Sequence, residues 1–199
     1  MTSIAADRPA TVPTGRTRAE LRGRAAGSGI LAFFAFGWTG CGISALPATV
    51  GLALLAVAGL TSATVAALAI RNARRAATAP AGGDPARGKA TGRRFGLVVT
   101  AEWIGIFVAV RLLGTFGHTQ LIPAAIALGV GIHFFPLARL FSLRAYHLTG
   151  TALCLIALAT ALLAPLAGTD ALWTMLPGFG SALTLYATCT HLLRTHTTR

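Results

Sequence analysis

LIPAAIALGVGIHFFPLARL, residues 121–140, is the stretch on which the fold turns. A helix of about 20 residues rises about 30 Å, enough to cross the hydrocarbon of a bilayer. This run carries no formal charge before Arg139, yet it holds His133 and, three residues on, Pro136. Lipid offers no hydrogen bonds, so an imidazole at this depth is expected to face protein or trapped water. Positions three and four apart share a helix face, which puts Gly129 and Pro136 on the side of His133. Pro136 also takes away the donor that the carbonyl of residue 132 would normally meet, so a kink is expected there.

The rest of the chain repeats the pattern. Of 199 residues, 54% are hydrophobic and 11% charged, and the mean hydropathy is +0.69. Such a composition excludes an ordinary soluble domain and predicts an all-α, polytopic membrane protein. Six spans are expected, at about 30–46, 49–70, 95–113, 119–139, 148–167 and 171–193. They form one membrane domain over 28–194. Residues 1–27, polar and rich in arginine, read as a disordered basic tail, and 195–199 as a short C-terminal tail. The segment 71–94, RNARRAATAPAGGDPARGKATGRR, reads as a flexible basic loop. Gly37, Gly40 and Gly42 in the first span suggest close helix packing.

Charge placement sets the expected orientation. The net charge of +12 arises from 17 Lys and Arg against 5 Asp and Glu. With the N-terminus inside, sixteen of the seventeen cations fall on the cytoplasmic side and only Arg111 outside. Both termini are therefore expected in the cytoplasm. Nucleic acid is a poor partner for these basic segments, because aromatic residues for base stacking are almost absent from them. The expected partners are the bilayer itself and anionic headgroups at the basic loops. Cys41, Cys154 and Cys189 lie inside spans without metal-ligand spacing, so neither a disulfide framework nor a metal site is read from them, and no cofactor is implied.

Few residues inside the spans have chemistry to offer. Counting rise along consecutive antiparallel helices, Glu102 lies about 10 Å and His133 about 9 Å from the same side of the membrane. The two can meet, and Trp38 and Tyr186 fall at similar depth as possible lining residues. An acid and a base sharing a dry site titrate as a pair, which suits a proton relay or the coupling site of a carrier. They would equally serve as a static clasp between helices. Arg111 is nine residues from Glu102, on the opposite face, and is expected to reach outer headgroups or Asp170. His118 reads as an exposed loop residue. No HExxH, GxSxG or P-loop pattern occurs, so no enzyme class is indicated.

The run GIHFFPLARLFSLRAYHLTG, residues 131–150, resembles a pattern in small uncharacterised bacterial integral membrane proteins of the domain-of-unknown-function type. There a helix ends in H-[FL]-[FL]-P and is followed by a short basic loop and an aromatic residue; here these are His133, Phe134, Phe135, Pro136, Arg144 and Tyr146. The resemblance implies a multi-pass protein of a bacterial plasma membrane and brings no activity with it. The sequence thus leads to a small proton-linked carrier or channel-like protein centred on Glu102 and His133. The alternative is a non-transporting interaction or assembly protein that works through its basic loops.

Overall fold

The computed structural model describes residues 17–78 and 85–194. Among them are six long helices and no strand: α1 (Arg18–Ile43), α2 (Ala48–Arg75), α3 (Pro85–Thr115), α4 (Ile122–Phe141), α5 (Arg144–Leu163) and α6 (Leu172–Arg194). Five of them, α1 to α5 with their flanking turns, are long and apolar enough to cross a bilayer. The sixth, α6, has 23 residues and lies alongside the others, but its threonines and its Trp173 lower its hydropathy. The chain has the build of a multi-pass helical bundle.

Two expectations about the polar segments need correction. The N-terminal tail was expected to be disordered through residue 27, but α1 begins at Arg18, well inside that stretch. The reason is local. Thr17 Oγ1 accepts from the Glu20 N–H at 3.3 Å, and Glu20 Oε2 accepts from the Thr17 N–H at 3.2 Å. This reciprocal capping box stops the helix from fraying, and the residues after it are mostly Ala, Arg, Leu and Glu, which favour helix wherever the membrane ends. Residues 1–16 and 195–199 lie outside the described residues.

The second correction concerns the basic loop at 71–94. Helix α2 continues through Arg75, and α3 begins at Pro85, so most of that segment is helical. Extending an existing helix costs far less than starting one, and the alanines and basic residues here are good formers. Arg74 and Arg75 in the last turn of α2 also meet the negative end of its dipole. Residues 79–84 lie outside the described residues.

Sequential helices other than α2 and α3 pack antiparallel, and in space the order is α2, α1, α6, α5, α4, α3, with α6 also reaching α4. Helices α2 and α3 therefore stand on opposite flanks without substantial packing between them. The tightest crossings use glycine. At α1/α6, a side-chain carbon on Gly178 would run into the backbone N and Cα of Gly42, and one on Gly42 would lie 3.0 Å from the Phe179 ring. At α4/α5, one on Gly131 would lie 2.7 Å from Cys154 Sγ and 3.0 Å from the Gly150 carbonyl oxygen. Of the three glycines singled out in the first span, only Gly42 packs this way; Gly37 and Gly40 face open space.

Small side chains fill the interior, among them Ala32, Ala35, Ala127, Ser28 and Ser181, while Phe33, Leu60, Phe107 and Leu183 point outward. This distribution suits a bundle whose solvent is hydrocarbon, where close backbone approach supplies the packing energy. Hydroxyls inside the helices donate to their own backbone, as Thr39 does to the Ala35 carbonyl at 2.9 Å and Thr160 to that of Ile156 at 2.8 Å. Helix α4 runs through Pro136 without interruption.

Candidate functional site: an acid and a base between α3 and α4

Helix α3 packs on α4 along one stripe. Ile106 closes over Gly129, where an added carbon would lie 3.3 Å from its side chain. Toward the other end the rings of Phe95 and Phe141 meet at 6.0 Å. Between these contacts, in the same antiparallel register, Glu102 Oε2 lies 3.2 Å from His133 Nδ1. The spacing explains the meeting: Val98, Glu102 and Ile106 recur every four residues on α3, and Gly129 and His133 do so on α4, so each set forms one ridge. The absence of a side chain at Gly129 lets the helices come close enough for the carboxyl to reach the ring.

The two side chains are largely shielded, with exposures of 9% for His133 and 14% for Glu102. Their contact is short, but His133 Nδ1 makes no aligned hydrogen bond. The backbone at Val98, one turn before Glu102, is the second polar neighbour of the imidazole. With one proton between them the pair is neutral whichever group holds it. Gaining a second proton or losing the first leaves a net charge in a dry seam, which is costly. Such a pair passes a proton internally at low cost and resists changes in its total charge.

The location differs from the expected layer. Glu102 and His133 meet at the flank, between α4 and a helix that packs on α4 alone, and not in the middle of the bundle. Trp38 is buried in the core, and its backbone carbonyl faces the glycine crossing at Gly178. Tyr186 is engaged on the other flank, its hydroxyl 2.7 Å from Ser62 Oγ and 3.0 Å from the Ala58 carbonyl oxygen of α2. Ser62 Oγ in turn lies 3.0 Å from the Ala32 carbonyl oxygen of α1. Two hydroxyl protons can fill only two of these three contacts at a time, and the cluster ties α1, α2 and α6 together. No polar contact joins Trp38 or Tyr186 to the acid and base.

Several polar residues lay beyond the reach of sequence reasoning. Thr149 and Thr188 hydroxyls meet at 2.7 Å between α5 and α6. Cys189 Sγ lies 3.4 Å from the Ser28 carbonyl oxygen, joining α6 to α1. Ser and Thr are so common in these helices that only knowledge of which helices adjoin could single out Ser62, Thr149 or Ser28. All three cysteines are free thiols. Among the described residues, no group of three His, Cys, Asp or Glu side chains comes together as a metal site would require. Arg111, Asp170 and His118 are all exposed, and no ion pair joins Arg111 to Asp170.

Comparison with protein-family models, with curated proteins and with solved structures gave no match. The likeness drawn at residues 131–150 therefore rests on those twenty residues alone, and the site must be interpreted from its own geometry.

Proposed function

We propose that the protein is a small proton-linked carrier or channel-like protein of a bacterial plasma membrane, with Glu102 and His133 as its protonation centre. The observation that carries this reading is the 3.2 Å approach of an acid and a base, both shielded, across the seam of two apolar helices. Ionisable groups within a span are expensive and are most often retained for function. Both termini face the cytoplasm on this reading, because the ends carrying Arg18, Arg22, Arg71, Arg75, Arg144 and Arg194 lie together on one side of the bundle.

Proteoliposomes holding a pH-sensitive dye, with a potential set by potassium and valinomycin, test the proposal directly. Wild-type protein should pass protons faster than empty vesicles, and Glu102→Gln and His133→Ala should each abolish the excess. Undiminished flux in both variants would remove the pair from the mechanism.

The assembly reading draws on a different observation. Helix α3 has 31 residues, about 46 Å of rise, which exceeds the hydrocarbon core and carries Lys89, Arg93 and Arg94 on its first turns. If those cations serve a partner, Arg93→Gln with Arg94→Gln would abolish the cellular phenotype while His133→Ala preserved it.

A further inference from the structure

A groove of about 460 Å³ runs between α2 and α6, on the flank remote from the acid and base. Helices α2 and α6 run parallel, and the Tyr186 contacts to Ser62 and Ala58 fix their register. On α2 the groove follows Val57, Leu60, Thr61, Thr64 and Leu68; on α6 it ends at Thr190, Leu193 and Arg194. The threonine hydroxyls are committed to their own helices, Thr61 to the Val57 carbonyl and Thr64 to that of Leu60 at 2.8 Å each, and Thr190 to that of Ala187 at 2.8 Å. The wall they form is therefore apolar in effect, and Arg194 is the one charged residue lining it.

From Val57 to Leu68 the groove is about 16 Å long, close to the roughly 15 Å of hydrocarbon in one leaflet. Its charged end is the end where cations gather. Arg71 follows Leu68 by three residues and Arg75 follows Arg71 by four, so both continue the groove-lining face of α2 beyond Arg194. An apolar channel of one leaflet's depth that terminates in guanidinium groups matches a molecule with a long acyl chain and an anionic phosphate.

We infer that the α2/α6 groove is a binding site for an anionic glycerophospholipid of the leaflet at the basic end, with one acyl chain along Val57 to Leu68 and the phosphate held by Arg194 and Arg71. The site is independent of Glu102 and His133. Its occupant arrives laterally from the membrane, because α2 and α6 make only slight direct contact and no third helix packs substantially on α2 besides α1. A fork of N–H donors suits the phosphate better than an ammonium would, though lysine retains the charge.

The full-length protein purified in a non-ionic detergent should be examined by native mass spectrometry with phosphatidylglycerol and with phosphatidylcholine of identical chains. Phosphatidylglycerol should be retained at least fivefold more strongly. Each arginine near the surface contributes about a fivefold change in affinity, so Arg71→Gln with Arg194→Gln should lower phosphatidylglycerol binding about 25-fold, while the double lysine variant retains most of it. Thr61→Phe, which fills the groove and leaves the arginines in place, should weaken both lipids. Equal binding of the two lipids by the wild type would overturn the site, as would full binding after loss of both arginines. Competition by glycerol 3-phosphate as strong as that by the intact lipid would show a phosphate site with no role for the groove. A dimer that excludes lipid from the groove would assign that face to a second copy and overturn the inference as well.

Discussion

Replacing Glu102 by Met and His133 by Phe, singly and together, separates a true pair from two residues that merely share a seam. At 3.2 Å and an effective dielectric of about 20, opposite charges attract by about 5 kcal/mol before desolvation is counted. Desolvation of both groups offsets most of that gain, so the net stabilisation from the pair is small. Removing one member is another matter. It leaves its partner shielded without the group it faces, at a cost of about 1–3 kcal/mol. The double variant restores an apolar seam of similar volume and should return close to wild-type stability, so the coupling in the cycle equals the two single costs together, about 2–6 kcal/mol. Reversible unfolding in mixed micelles measures all four proteins. The same double variant, folded and inserted, should pass no protons above the background of empty vesicles. Additive single effects, within about 0.5 kcal/mol, would refute the reasoning.

Other consequences follow from the packing. Gly178→Ala should cost about 1–3 kcal/mol, because the new carbon meets the Gly42 backbone and neither helix can yield without opening the crossing. Gly37→Ala on the same helix as Gly42 should be neutral or slightly stabilising, since nothing lies within 4 Å of the added carbon; thermal unfolding of the two variants in one detergent compares them. Tyr186→Phe should lower stability by about 1 kcal/mol through loss of its bonds to Ser62 and Ala58, yet leave proton flux unchanged. A loss of flux in that variant would mean that Tyr186 belongs to the conducting site after all.

What could be read from the sequence divides along the range of the interactions involved. The helices were legible because each is a local property, a run of apolar residues of bilayer length, and Glu102 with His133 was legible because consecutive antiparallel helices bring equal depths together. Helix ends were less so. The Thr17–Glu20 capping box was visible in the letters, but the basic residues around it look like solvated tail, and only the continuing helix shows that they are its first turns. Placing Trp38 and Tyr186 beside the pair used depth alone. Depth does not fix which helices are neighbours, and Tyr186 turns toward α2 because Ala58 and Ser62 offer its hydroxyl partners there.

The flank position of the pair bears on how a proton would travel. The interior between α1, α4, α5 and α6 is closed by Leu153, Leu185, Leu192 and the glycine crossings, all tightly packed. A path down the bundle axis would have to open these contacts, at the cost of exposing backbone that glycine has brought together. The α3/α4 seam is different: α3 has no other substantial helix neighbour, and Glu102–His133 is a polar contact that joins it to α4. Movement of α3 relative to α4 breaks few contacts and acts first on the pair. On the proposed reading, then, α3 is the moving element, and the proton passes along the seam and not through the core. Tethering α3 to α4 by a disulfide placed at Ile106 and Gly129, where the helices already touch, should stop flux when oxidised and restore it on reduction. Equal flux in both states would return the search to the bundle axis.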